Sequence, residues 1–179
     1  RPDQPVAMHA HVLDVLTCCV EELDTVPTAL LETFLVFLLP ASKTDNPTSY
    51  GVVQVLLQRC FNKLQQPVGQ FCCALLEDKH SVEASELKDH VHALVFELHK
   101  TKPELMLYIL PRLVDYLEVE DDAMRETKVQ LVRRLFGSAS GDYCAVYPQH
   151  FRKLLGRFKD RLPAIRVHMV EFGKIVLTR

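Results

Sequence analysis

Residues 103–137 read PELMLYILPRLVDYLEVEDDAMRETKVQLVRRLFG. Apolar residues fall at Leu107, Leu110, Val114 and Leu117, then at Val129, Val132, Leu135 and Phe136, at intervals of three and four that place them on one helical face. The acidic run from Glu118 to Asp122 separates the two segments, so the stretch predicts two amphipathic helices joined by a short turn. A lone hairpin would leave its apolar faces in water; it needs neighbours.

A shift of 41 residues supplies one. It carries Leu110 onto Phe151, Leu113 onto Leu154, Leu117 onto Phe158, Met124 onto Ile165, Arg125 onto Arg166, Val129 onto Val170 and Leu135 onto Val176. A period of about 40–47 residues with two helices per unit is that of HEAT and armadillo arrays, in which stacked hairpins bury one another's faces. The chain is therefore expected to be all-α, a HEAT-repeat solenoid over residues 1–179. An unpaired helix is expected at 6–23, with hairpins at about 27–64, 67–100, 103–137 and 147–177.

Punctuation along the chain sets those limits. Asp24 or Thr25 is placed to cap a second helix over Thr28–Leu39, with Pro27 in its first turn. Pro40 and the polar run Ser42–Ser49 break the pattern, as does Gln65-Gln66-Pro67, and Pro111 is expected to bend the helix that contains it. No segment alternates with period two for long enough to argue a sheet.

A hydrophobic share of 48% gives ample material for a core, and the net charge of −2 gives no bulk argument for nucleic acid. The charge is uneven: residues 1–119 carry −7 and residues 120–179 carry +5. The chain opens at Arg1 with no initiator Met, leader or cleavage site, and is expected to be part of a longer polypeptide. Its longest apolar run, Phe34–Leu39, falls far short of the ~20 residues that span a bilayer. Cys18, Cys19, Cys60, Cys72, Cys73 and Cys144 have no CxxC spacing and are expected to be reduced and mostly buried.

No constellation argues for catalysis. His9-x-His11 and His90-x-His92 diverge by about 200° on a helix, the wrong spacing for shared ligation. Glycine-rich phosphate loops and G-x-S-x-G are absent, and Cys144 near His150 has no orienting carboxylate in sequence. The Glu118–Asp122 run lacks the spaced ligands of a calcium loop and instead favours the positive start of the next helix. Arg125 and Arg166 each fall in the first turn of a second helix and are expected to be structural. Asp160, six residues before Arg166, has the spacing of an inter-repeat ladder, whereas Val119 occupies the matching position one repeat earlier.

Several segments carry a resemblance. DTVPTALLETFLVFLLPA at Asp24–Ala41, HVHALVFELHK at His90–Lys100, LYILPRL at Leu107–Leu113 and GRFKDRLPAIRVHMVEFGKIVL at Gly156–Leu177 resemble the amino-terminal HEAT region of the "precocious dissociation of sisters" family of sister chromatid cohesion regulators, collinearly over nearly the whole chain. The resemblance implies a nuclear, chromosome-associated, non-enzymatic adaptor. Its partners would be the kleisin subunit of cohesin, the wings-apart-like release factor and sororin-like peptide motifs, with no cofactor save inositol hexakisphosphate in some members.

In a solenoid the second helices line a groove that captures short peptides. Lys88, His92, Lys128, Arg133 and Arg134 are the partner-binding candidates there, and Lys128, Arg133 and Arg134 also belong to an expected exposed basic set with Arg152, Lys153, Arg157, Lys159 and Arg161. The alternative is a HEAT array that binds nucleic acid or polyphosphate through this basic end; the set has no interleaved aromatics for base stacking.

Overall fold

A computed structural model describes residues 4–77, 87–138 and 143–178, with side chains from Ala10 onward. Among the described residues every regular element is helical. They form two compact units, one ending at Leu105 and the other starting at Met106.

The first unit contains α1 (Gln4–Glu22), α2 (Thr28–Val36), the short α3 (Ser42–Asp45), α4 (Pro47–Arg59), α5 (Phe61–Leu76), α6 (Val91–Thr101) and a 3-10 turn at Pro103–Leu105. Helix α1 packs on α4 and α2 on α5, while α6 lies against both α4 and α5. Leu35, Leu38, Leu56, Cys60, Leu64, Val68, Leu94 and Leu98 are fully or almost fully buried between them.

Several expectations change here. Neither Asp24 nor Thr25 caps α2: Pro27 stands at its cap in an extended conformation, and its carbonyl accepts from the Leu30 and Leu31 amides. The polar run Ser42–Ser49 folds into α3 and the start of α4, whose first residue is Pro47. The expected break at Gln65-Gln66-Pro67 is absent: the chain turns at Cys60, and α5 runs straight through Pro67. An interior proline costs about 3 kcal/mol, but Leu64, Val68, Phe71, Cys72 and Leu75 form one buried stripe across it, and each large apolar side chain contributes roughly 1.5–3 kcal/mol. The stripe outweighs the proline.

Among the described side chains of α1 only Val20 is buried, and Val12 is exposed. The cysteines are all thiols, with Cys60 and Cys72 buried, Cys73 and Cys144 half-buried, and Cys18 and Cys19 exposed on α1. Burial pushes the Cys72 thiol well above its ordinary value, which makes it inert. Within the hairpin expected at about 67–100, residues 78–86 lie outside the described residues.

His99 on α6 is fully buried, with its ring 5.9 Å from that of Phe96. Burial, with the charge of Lys100, lowers its pKa to about 4. The unfolded chain, whose histidine titrates near 6.5, therefore takes up the proton first, and stability falls as pH drops from about 6.5 to about 4. The expected loss across that window is on the order of 3 kcal/mol, and His99→Leu removes it. Denaturant unfolding at pH 7, 5.5 and 4 checks this, since an unchanged slope in the variant would assign the titration elsewhere.

The second unit comprises α7 (Met106–Asp115), a 3-10 turn (Tyr116–Glu118), α8 (Asp122–Phe136), α9 (Tyr143–Val146), α10 (Pro148–Gly156), a 3-10 turn (Arg157–Lys159) and α11 (Pro163–Leu177). The 41-residue period is met to the residue: it superposes the two 3-10 turns on each other and both ends of α8 on both ends of α11. Each half is a HEAT-type hairpin. Pro111 lies inside α7, and Asp121 caps α8 by accepting the Met124 amide at 2.7 Å.

Helix α10 packs on α7 and α8, and α11 packs on α8. Their shared core holds Leu110, Leu113, Leu117, Val129, Val132, Leu135, Leu154, Ile165, Met169 and Phe172. Phe151 bridges it, with its ring 5.5 Å from Phe136 and 6.2 Å from Phe172. No described helix is long and apolar enough to cross a membrane.

Candidate interaction site

The charged centre of the second unit is the pair Arg125 and Asp160, whose side chains are 4% and 1% exposed. Arg125 sits in the first turn of α8, and Asp160 immediately follows the 3-10 turn that leads to α11. Arg125 Nε donates to Asp160 Oδ2 at 3.0 Å and Nη2 to Oδ1 at 3.1 Å, a bidentate fork across the seam between the hairpins. Nη1 donates to the Val119 and Glu120 carbonyls at 2.7 and 3.2 Å, and Nη2 also reaches Asp122 Oδ1 at 2.6 Å.

Asp160 is held from further directions. Its Oδ1 accepts the Leu162 amide at 2.9 Å and its Oδ2 accepts from Arg157 Nη1 at 3.2 Å. Burial alone would push the Asp160 carboxyl up, but the Arg125 hydrogen bonds, the Leu162 amide and the Arg157 charge outweigh it and hold the group below the usual carboxylate range. The hydrogen bonds to Asp160 in turn raise the Arg125 pKa.

Arg166 repeats half of this pattern. Its Nη1 donates to the carbonyls of Asp160 and Arg161 at 2.7 and 3.1 Å, six and five residues back, as Arg125 does with Val119 and Glu120. Both arginines thus tie the start of their helix to the turn before it. The expected rung is corrected in one respect: the Asp160 carboxylate serves Arg125 of the preceding repeat, and Arg166 takes its backbone oxygen. Val119 leaves no gap, because its role is filled by its carbonyl.

The groove candidates distribute differently from expectation. Lys88 and His92 are half-buried residues of the first unit, whereas Lys128, Arg133 and Arg134 lie on α8 in the second. Lys128 was expected to be exposed; it is 8% exposed, its ammonium 5.5 Å from the Tyr116 ring centre, and burial lowers its pKa. Its four-carbon stem fills space between helices, so it is part of the packing. Arg133 pairs across the seam with Glu171 of α11 at 3.1 Å. Arg134 alone of the three is exposed.

The rest of the basic set is also largely matched. Lys153 faces Asp115 at 3.7 Å and Glu118 at 3.5 Å; Arg157 binds Asp160 and, at 2.9 Å, the Leu117 carbonyl; Arg161 binds Asp122 at 2.9 Å and the Glu120 carbonyl. Arg152 and Lys159 are exposed and make no ion pair among the described residues. A cleft of about 230 Å³ opens beside Arg157, Lys159 and Arg161, but Glu118, Glu120 and Asp160 line it too, so its charge is nearly balanced.

One seam escaped the sequence reading. His168 of α11 contacts Gln130 at 2.9 Å and Glu126 at 3.1 Å, both on α8, beside the Arg133–Glu171 pair. The signal available was a polar stripe at positions 126, 130 and 133, spaced by four and three, facing the helix one repeat later. Cys144 is half-buried, and His150 stacks edge-on against Tyr147 at 5.8 Å. Among the described residues, no group of three or more His, Cys, Asp or Glu is placed to hold a metal ion.

Helical hairpins in exact repeat, joined by a buried arginine–aspartate pair and with a few outward-facing cations, define an all-α protein of the HEAT-repeat class. The chain belongs to the PDS5 family of sister chromatid cohesion proteins: the family model described as "Sister chromatid cohesion protein PDS5 protein" matches residues 1–179. Sister chromatid cohesion protein PDS5 homolog A of Mus musculus is 32% identical over 163 residues, covering 91% of this chain and 12% of that relative. Homolog B of Homo sapiens is 32% identical over 167 residues, 93% of the chain and 11% of the relative, and homolog A of Gallus gallus is 33% identical over 172 residues, 96% and 13%. The chain thus spans about an eighth of the length of these curated relatives.

Proposed function

We propose that this chain is a non-catalytic segment of a scaffold that regulates sister chromatid cohesion. It acts on chromosomes in the nucleus by binding the kleisin subunit of cohesin and by receiving the wings-apart-like release factor and sororin-like protection motifs as short peptides. The observation that carries this reading is the family match over the whole chain, together with relatives named for sister chromatid cohesion. The HEAT-type architecture supports it, since stacked hairpins offer extended surfaces for disordered peptide segments.

Arg134 and Arg152 are the residues to test, because both are exposed. Arg133 is set aside because it pairs with Glu171. The double reversal Arg134→Glu/Arg152→Glu is expected to weaken binding of purified kleisin, release-factor or sororin peptides about tenfold, without a change in Tm. A drop of several degrees would make the two residues structural, and undiminished binding of all three peptides would remove them from the interface.

A second reading is favoured by the exposed cations Arg152 and Lys159: a polyanion, either nucleic acid or inositol hexakisphosphate, binding at the basic end. Phosphate binding falls log-linearly and steeply with salt, whereas a peptide held by apolar anchors responds weakly, so one salt titration separates the two.

A further inference from the structure

We infer that the cleft between α2 and α5 is a docking site for a basic peptide segment of a partner protein, which seats one large apolar side chain in the cleft and sets lysine or arginine against the carboxylates around it. Leu31 of α2 and Phe71 of α5, 4% and 5% exposed, form the floor. Val26, Pro67 and Ala74 form the walls, and Thr28 and Gln70, both exposed, bring a hydroxyl and an amide to the mouth, where a peptide backbone can pair with them. The cleft measures about 230 Å³. Small-molecule pockets run from about 300 to 1,000 Å³, so this space suits a single side chain. Helices α2 and α5 already pack on each other, so the cleft is an indentation in a closed seam and not an uncovered helix face.

Charge selects the occupant. Asp24 stands two residues before Val26, Glu32 follows Leu31 on α2, and Glu77 closes α5 three residues after Ala74. Asp24 is exposed and Glu32 half-buried, and neither makes an ion pair among the described residues. Residues 21–33 and 64–77, which supply the whole lining, contain Glu21, Glu22, Asp24, Glu32 and Glu77 and no lysine or arginine; Lys63, one turn before Pro67, is the nearest cation along α5. An acidic segment is repelled from such a rim, and a basic one is drawn to it. The buried apolar anchor supplies affinity, and the rim charges supply the choice of partner. None of this depends on the partners proposed above: the cleft lies in the first unit, and its charge is opposite to that of Arg134 and Arg152 in the second.

Selection of a phage-displayed library of random peptides on the immobilised full chain, with the enriched peptides then titrated as dye-labelled synthetic probes, tests this. The expected peptides pair one leucine- or phenylalanine-sized residue with adjacent lysine or arginine. Ala74→Phe, which fills the cleft, is expected to weaken them about tenfold. Asp24→Lys/Glu32→Lys is expected to weaken them severalfold at unchanged Tm, by a factor that shrinks as salt is raised. Should Ala74→Phe lower Tm, the charge reversal alone decides. Enrichment of acidic or purely apolar peptides, or affinity indifferent to the charge reversal, would overturn the site. An equal loss with Arg134→Glu/Arg152→Glu would place the peptides on the second unit and overturn the cleft while leaving the reading above intact. Self-association of the chain that the charge reversal abolishes would give the cleft to a second copy and overturn the peptide.

Discussion

Arg125→Ala is expected to cost the second unit about 3–5 kcal/mol, because it strands the Asp160 carboxylate, 1% exposed, without its bidentate partner. Arg157 and the Leu162 amide remain, but they supply one bond each where the fork supplied two. Arg125→Lys restores charge without the fork and is expected to recover only part of the loss. Replacing both members with apolar residues, Arg125→Met/Asp160→Leu, is expected to cost less than Arg125→Ala alone, since no buried charge is left. The pair also sets an acid limb. The folded Asp160 pKa is depressed, so its contribution is complete above the unfolded carboxyl value near 4 and is lost as pH falls through the lower folded value. Hydrogen exchange of α8 and α11 at pH 7, with denaturant unfolding repeated at pH 3, measures both effects. A loss below about 1 kcal/mol at pH 7 would mean that water replaces the guanidinium and that the pair does not hold the seam.

The second large effect belongs to the first unit. Glu97 on α6 is 3% exposed, and its carboxylate is met by Lys43 at 2.8 Å, Lys100 at 3.1 Å and the Tyr50 hydroxyl at 2.9 Å. Burial pushes this carboxyl up, but the two lysines and Tyr50 outweigh it, and the net pKa lies below the ordinary value. Lys43 and Lys100 are each about 40% exposed, so methionine in their places perturbs packing little and leaves Glu97 with Tyr50 alone. The double variant Lys43→Met/Lys100→Met is expected to lose about 3–5 kcal/mol at pH 7. Its pH response should also invert. With the lysines gone, desolvation wins, the folded Glu97 pKa rises above the unfolded value, and stability is regained as pH falls from 7 toward 5. The His99 loss falls in the same range and is common to both proteins, so the stability difference between variant and parent, taken from unfolding curves at pH 7 and pH 5, decides the matter. A difference that does not shrink on acidification would refute the inversion.

The repeat was legible because it rests on covalent order and periodicity. The apolar spacing of Leu110, Leu113, Leu117, Val129 and Leu135 and the 41-residue shift led to two hairpins whose second helices agree at both ends to the residue. Pro148 and Pro163 open α10 and α11 because a proline at the first helical position gives up only an amide that would have had no partner. Pro67 misled for the complementary reason. Its local cost is readable in the sequence, but the buried stripe from Leu64 to Leu75 that offsets it depends on what α2, α4 and α6 present to α5. The expected exposure of the candidates misled in the same way. Lys128, Arg133 and Arg134 look equivalent as letters, yet one is packed against Tyr116, one is paired with Glu171, and one faces solvent.

By itself, then, the order of residues determined that the chain is helical, that it repeats every 41 residues, and that Arg125, Arg166 and Asp160 are repeat positions, because helix formation and hairpin length depend on neighbours within a few turns. The tertiary structure alone decided that Arg125 closes on Asp160, 35 residues away, that Glu97 gathers Lys43, Lys100 and Tyr50, and that Arg166 takes the Asp160 carbonyl. Whether a charged side chain is a binding group or part of the frame depends on which opposite charge packing brings within 3 Å of it, and that distance has no counterpart along the sequence.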